Sequence, residues 1–202
     1  MYASYGVTTV QDGMVGKPLF ELLKYASANG LLKLDVVGYA DIMTAADLFE
    51  EERAYANRYT GHLKMGGYKI FLDGSPQGRT AWMTKPYEGE ENYCGYPIHT
   101  DEELNHYIEL ALEKKQQLLA HCNGDAAAEQ YIGQFEKALS KRTDKDLHRA
   151  VMVHAQLVRK DQLQRMAANR DDPKLFLWLI RITGEISIFK ISEKKEAARF
   201  HR

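Results

Sequence analysis

Apolar positions along the chain follow two alternating periods. Short runs of β-branched and apolar residues read as buried strands, and between them apolar residues recur every three or four positions, as on amphipathic helices. The first run, Gly6-Val7-Thr8-Thr9-Val10, closes at Gln11-Asp12-Gly13. Pro18 to Ala28 carries Leu19, Leu22, Leu23 and Ala26 at helical spacing and ends at Asn29-Gly30, residues tolerant of positive φ. Leu32 to Ala40 predicts a second strand, and Thr44 to Tyr59 a helix with a charged face. Gly66-Gly67 leads into a third strand that carries Lys69. Thr100-Asp101-Glu102-Glu103 resembles a capping box and opens a helix to about Gln117. Leu118-Leu119-Ala120-His121 predicts a fourth strand, Asp125 to Ser140 a helix, Ala150 to His154 a fifth strand and Arg159 to Ala168 a final helix.

Strand and helix alternate throughout. That order predicts an α/β fold with a parallel sheet and crossover helices, either a (β/α) barrel or a doubly wound sheet. In both, active groups lie at the carboxyl ends of the strands. About five strands precede residue 160, whereas a closed barrel has eight, so a partial barrel is expected. Residues 73–100 show no period and are rich in Gly, Pro and Tyr; a loop of that length reads as a lid or a substrate contact.

Composition narrows the class. The chain has 202 residues, 45% hydrophobic and 27% charged, with formal net charge −1. Nothing basic points to nucleic acid, and no apolar stretch is long enough to span a membrane. The two cysteines, Cys94 and Cys122, form no CxxC pair, which favours a reducing, cytoplasmic setting. The amino end shows neither a basic segment nor the long apolar run of a signal peptide. A homo-oligomer is compatible with all of this.

Three strands each carry one side chain capable of metal chemistry: Lys69, His121 and His154. Neutral imidazole is a common transition-metal ligand. Each histidine alone is equally well a satisfied polar group, and two at successive strand ends strengthen the case for a site. A buried lysine is costly unless paired or neutralised. Lys69 therefore reads as a snorkelling lysine, a Schiff-base amine, or a lysine carboxylated by carbon dioxide. Cys122 faces away from His121 by strand alternation. Asp125 reads first as a helix cap. Residues 73–80 are glycine-rich but lack the Gly-Lys-Ser/Thr ending of a phosphate loop. Arg79 could grip a substrate carboxylate or form a surface ion pair. Trp82, Tyr87, Tyr93 and Tyr96 could line a pocket or pack the loop on itself. His62, His99 and His106 stay unassigned, and His148 reads as a solvated loop residue.

The segments Gly67 to Ala81, His121-Cys122-Asn123-Gly124-Asp125-Ala126-Ala127 and His154-Ala155-Gln156, with Gly6 to Asp12, resemble family-3 amidohydrolases, a group that includes N-substituted formamide deformylases. The likeness spans roughly Tyr2 to Ala168. It implies a metal-dependent TIM-type (β/α)8 barrel that hydrolyses non-peptide amide C–N bonds of small molecules, with zinc as the expected metal, in one or two ions. By this likeness Lys69 is the strand-four lysine, carboxylated and bridging, and His121 and His154 are the ligands of strands five and six. Arg79, Trp82 and Tyr96 are the expected substrate contacts.

Two family features are missing from the chain: a His-x-His pair on the first strand and an aspartate after strand eight, which serves as base and ligand. The expectation is a segment covering about strands two to six, with residues 1–172 as partial barrel and impaired catalysis. Residues 173–202 diverge. Back-translated and read two bases on, with synonymous codons, residues 177–188 can give Leu-Ala-His-Thr-His-Tyr-Trp-Gly-Asp-Ile-His, which is family-like. This suggests a frameshift near Lys174 to Leu177; the alternative is a divergent helical tail. The competing function classes are an aldolase-type lyase acting through a Lys69 Schiff base and a catalytically inert chain.

Overall fold

The computed structural model describes residues 2–143, 149–168, 178–183 and 185–189. Seven strands form one sheet in chain order: β1 (Thr9–Val15), β2 (Asp35–Asp41), β3 (Leu63–Phe71), β4 (Gln117–Cys122), β5 (Val151–His154), β6 (Trp178–Thr183) and β7 (Glu185–Phe189). Strands β1 to β6 run parallel, and β7 returns antiparallel to β6. The helices between them are α1 (Lys17–Ala28), α2 (Leu48–Glu51), α3 (Asp101–Glu113), α4 (Asp125–Ser140) and α5 (Lys160–Ala168). The fold is α/β, a curled parallel sheet of half-barrel form. His148, Pro173 and Lys174 to Leu177 lie outside the described residues.

Two apolar layers follow from strand alternation. Tyr68, Ile70, Ala120, Cys122 and Met152 point to the helix side and join Phe20, Leu104, Ile108, Tyr131 and Phe135 in the main core. Tyr39, Leu119 and Val151, with Val37 and Val153 beside them, form a smaller cluster on the other face. Each fully buried large apolar side chain contributes roughly 1.5–3 kcal/mol. The main layer therefore fixes the sheet and leaves the inner face free to carry polar groups at its carboxyl ends.

α3 begins with the expected capping box: the Thr100 side chain accepts from the Glu103 amide, and the Glu103 carboxylate accepts from the Thr100 amide at 2.9 Å. Several element bounds differ from the sequence reading, and β3 begins at Leu63, ahead of Gly66-Gly67. The first strand sits further along, at Thr9–Val15, and the predicted strand at Leu32 begins at Asp35. The helix expected over residues 44–59 is only Leu48–Glu51. There the chain leaves helical geometry to pair with β3: Met65 N donates to Tyr55 O, and Asn57 N donates to Met65 O, both at 2.9 Å. Non-local strand pairing overrides local helix propensity at that point.

The turn from β4 into α4 depends on Gly124. A Cβ there would lie 1.8 Å from the Trp82 carbonyl oxygen and 2.5 Å from its carbon. That close approach lets Trp82 O accept from the amides of Ala126 and Ala127 at 3.1 and 3.4 Å, so the loop backbone caps α4. Gly124→Ala is expected to cost roughly 2–3 kcal/mol through overpacking and loss of this cap. A urea titration should show the midpoint fall without a change in slope.

Candidate metal centre

Lys69, Phe71 and His121 share the inner face of the sheet. In register, Lys69 stands opposite Leu119, Phe71 opposite His121, and His121 opposite Val153. His154 needs a further device. Its register partner is Cys122, which is fully buried on the helix side, so plain alternation would send His154 there too. Instead His154 has φ 71° and Ala155 φ 46°, a left-handed turn that costs an L-residue roughly 1 kcal/mol. It swings the imidazole to the inner face, where its centroid lies 4.6 Å from that of His121 with the rings edge to face.

Lys69 is 6% exposed. Its Nζ donates to Ile70 O at 3.1 Å and stands 3.8 Å from the Phe71 ring centroid. Burial pushes its pKa down to about 8, with Cys122 opposing the shift and no carboxylate among the described residues contributing to it. Roughly a tenth of the amine is then neutral at pH 7. Burial also pulls both histidines down, His121 further by the charge on Lys69 and His154 by His121 and Lys69. Both imidazoles are thereby held toward the neutral, ligating form.

His121 is held by its surroundings. Its Nε2 lies 2.9 Å from the Gly74 carbonyl oxygen and 3.0 Å from Asn123 Nδ2. Gly74 O only accepts, and it takes both the Asn123 Nδ2 donor at 2.8 Å and the His121 Nε2 proton; the Nε2–Nδ2 approach is then a contact between two donors to one oxygen, and the Nδ1 lone pair is left for a ligand. Asp73, 1% exposed, lies behind it, with Oδ1 3.7 Å from His121 Nε2. Its carboxylate accepts from the amides of Trp82 at 3.0 Å, Asn123 at 2.9 Å and Gly124 at 2.7 Å. Burial raises the Asp73 pKa, and the three amides work against that rise. The sequence reading gave Asp73, Asn123 and Phe71 no role. The available signal was an Asp-Gly at one strand end facing an Asn-Gly at the next, where buried turn amides need acceptors.

Asp125 is not the cap it was expected to be. The N-cap of α4 is Gly124, without a side-chain bond. Asp125 instead accepts from Thr84 N at 2.9 Å, from the Thr84 hydroxyl, and from Arg159 Nη1 at 3.0 Å. It pins the long loop to α4 and to the start of α5. Burial opposes its ionisation, and the bonds from Thr84 and Arg159 outweigh burial and hold the carboxyl below the usual range. A depressed folded-state pKa gives stability that is present above the unfolded value and lost as pH falls through the folded one. Unfolding midpoints should therefore drop as pH falls below about 4, and Asp125→Asn should flatten that drop.

Arg79 has φ 53° and bonds Glu90 Oε1 at 2.6 Å on the surface of the loop. Trp82 is half-buried against the main core, and Tyr96 is exposed. Tyr87 and Tyr93 stack on each other at 6.0 Å. The structure thus brings together Lys69, His121 and His154, while Arg79 and Tyr96 lie on the outside of the loop. Among the described residues no three His, Cys, Asp or Glu side chains cluster at metal-binding spacing; Lys69 is the further donor candidate beside the two histidines. No helix among the described residues is long and apolar enough to cross a membrane.

The chain belongs to the amidohydrolase family, whose profile matches residues 1–181. YtcJ of Bacillus subtilis (strain 168) is 32% identical over 123 residues, which cover 61% of this chain and 22% of YtcJ. Protein LONG AFTER FAR-RED 3 of Arabidopsis thaliana is 24% identical over 161 residues, covering 75% of this chain and 27% of that protein. Among solved structures, an uncharacterized metal-dependent hydrolase from Pyrococcus horikoshii OT3 superposes with TM-score 0.71 at 27% identity, over 84% of this chain and 33% of that one. A second, from Pyrococcus furiosus, gives TM-score 0.71 at 28% identity, over 83% and 34%. The chain thus spans about a quarter of the length of the curated relatives it matches.

Proposed function

We propose that this chain carries the central part of the metal site of a hydrolase acting on non-peptide C–N bonds of small amides or formamides. The observation that carries the reading is the convergence of Lys69, His121 and His154 at neighbouring strand ends, with the two imidazoles 4.6 Å apart. The donor chemistry fits a divalent metal, with zinc as the first choice: two imidazoles biased to the neutral form and a buried amine with no carboxylate partner among the described residues. Similarity to metal-dependent hydrolases supports a metal at this site.

When bound, the metal supplies Lewis acidity toward water and toward the substrate carbonyl. The chain's own residues set the stage for it. The Gly74 carbonyl fixes the His121 tautomer and presents Nδ1, as a supporting carbonyl does for ligating histidines. The left-handed turn at His154 aims the second imidazole. The neutral fraction of Lys69 is the nucleophile that carbon dioxide needs to form a carbamate, and the carbamate oxygens would then serve as ligands. Phe71, against both Lys69 and His121, shields the amine from water. The loop over residues 73–100 is tied down beside the site by Asp73 and Asp125.

The same neutral amine would also serve a Schiff base, so the test separates the two. Zinc-loaded chain is offered a set of small amides and formamides and, separately, a carbonyl substrate with borohydride. Slow amine release that stops with a chelator supports the hydrolase reading. A borohydride-trapped adduct on Lys69 rejects it in favour of a lyase, and zinc binding without turnover identifies an inert chain.

A further inference from the structure

His154 and Ala155 are two successive left-handed residues, at φ 71° and 46°, and neither is glycine. Strain of this kind lasts only where neighbouring contacts overdetermine the conformation. The segment that follows His154 supplies them. Ala155 N donates to Cys122 O at 2.9 Å, and Leu157 N donates to Asn123 O at 3.0 Å. Arg159 then donates from Nη1 to Asp125 Oδ2 at 3.0 Å and from Nη2 to Glu129 Oε2 at 3.1 Å. Gln162, fully buried, locks the corner: its Oε1 accepts from Arg159 N at 2.9 Å, and its Nε2 donates to Asp125 O at 2.7 Å.

The order of these bonds carries the argument. Residues 155, 157 and 159 meet residues 122, 123 and 125 in sequence. The chain leaving His154 is thus fastened, step by step, along the chain leaving His121. The first two steps are backbone bonds, open to almost any sequence. The far end is side-chain chemistry, and Arg159 sets it. Its planar fork spans two carboxylates at the start of α4, and the Asp125 side chain is only 9% exposed. Arg165, further along α5, bonds Glu129 and Glu136 instead. It joins the same two helices at a distance from the turn.

We propose that Arg159 is a positioning residue for the metal centre. By anchoring the start of α5 to Asp125, it maintains the left-handed turn that keeps the His154 imidazole against that of His121. The inference rests on the metal reading of that pair and adds a residue outside it that sets its geometry. Asp125 also accepts from Thr84 of the long loop, so the loop and the His154 turn share one anchor.

The test compares Arg159→Met, Arg159→Lys and Arg165→Met in the whole chain. The first readout is the nuclear Overhauser contact between the His121 and His154 ring protons in the metal-free protein, expected in the parent because the ring centroids lie 4.6 Å apart. The second is zinc affinity. Arg159→Met should lose the ring contact and bind zinc about tenfold more weakly. Arg159→Lys should recover part of both, since an ammonium still reaches one carboxylate. Arg165→Met should lower the unfolding midpoint and leave both readouts unchanged. If Arg159→Met does not fold, Arg159→Gln is read in the same way. Equal effects of the Arg159 and Arg165 variants, an intact ring contact in a folded Arg159 variant, or no ring contact in the parent overturns the proposal. A parent that shows the ring contact but binds no zinc contradicts the metal reading alone, and the ring contact in the variants then decides the role of Arg159.

Discussion

Asp73→Ala is expected to lower stability by roughly 3–5 kcal/mol, because three buried amides lose their acceptor together and each orphaned donor costs roughly 1–3 kcal/mol. The amides of Trp82, Asn123 and Gly124 come from two different segments, the long loop and the β4–α4 turn. Losing the carboxylate therefore unfastens the loop from the strand end as well as exposing a cost in place. For a chain of this size the change corresponds to a fall in Tm of roughly 6–20 °C. Asp73→Asn should recover part of it, since the amide oxygen still accepts while its NH2 confronts a donor. Differential scanning calorimetry of the three proteins checks the order: parent, then Asn, then Ala.

The second large effect concerns the metal. His121→Ala and His154→Ala should each weaken zinc affinity by about a hundredfold or more, since each removes one imidazole from a set of three donors. Asn123→Ala should weaken it less, about tenfold, because Asn123 touches His121 Nε2 and shares the Gly74 oxygen without itself being a donor to the metal. Competition with a zinc-binding dye gives all three values. Cys122→Ser serves as a contrast: the thiol points into the helix-side core, so affinity should hold while stability falls.

Strand order, parallel sense and the helices α1, α3, α4 and α5 were legible in the chain because they rest on period and punctuation. Lys69, His121 and His154 were legible as strand-end groups for the same reason. What period could not show was conformation set by tertiary pairing. The stretch over residues 44–59 reads as helix until Met65 captures the backbone on either side of Ala56. His154 was legible as a strand-end site residue, but not the left-handed φ that brings it to His121 when its register partner Cys122 faces the helix side. Asp125 has the composition of a cap, yet Trp82 O already serves that end of α4, which frees the carboxylate for Thr84 and Arg159. For residues 44–59 and for Asp125 a contact from a distant segment decides between two locally acceptable states.

The central claim is that His121 and His154 ligate one metal at the mouth of this sheet. X-ray absorption of the zinc-loaded chain tests it most directly, because imidazole ligands give a distinctive outer-shell scattering. The account predicts two imidazoles per zinc in the parent chain and one in either His121→Ala or His154→Ala. A parent spectrum with oxygen ligands alone, or one unchanged by both substitutions, contradicts it.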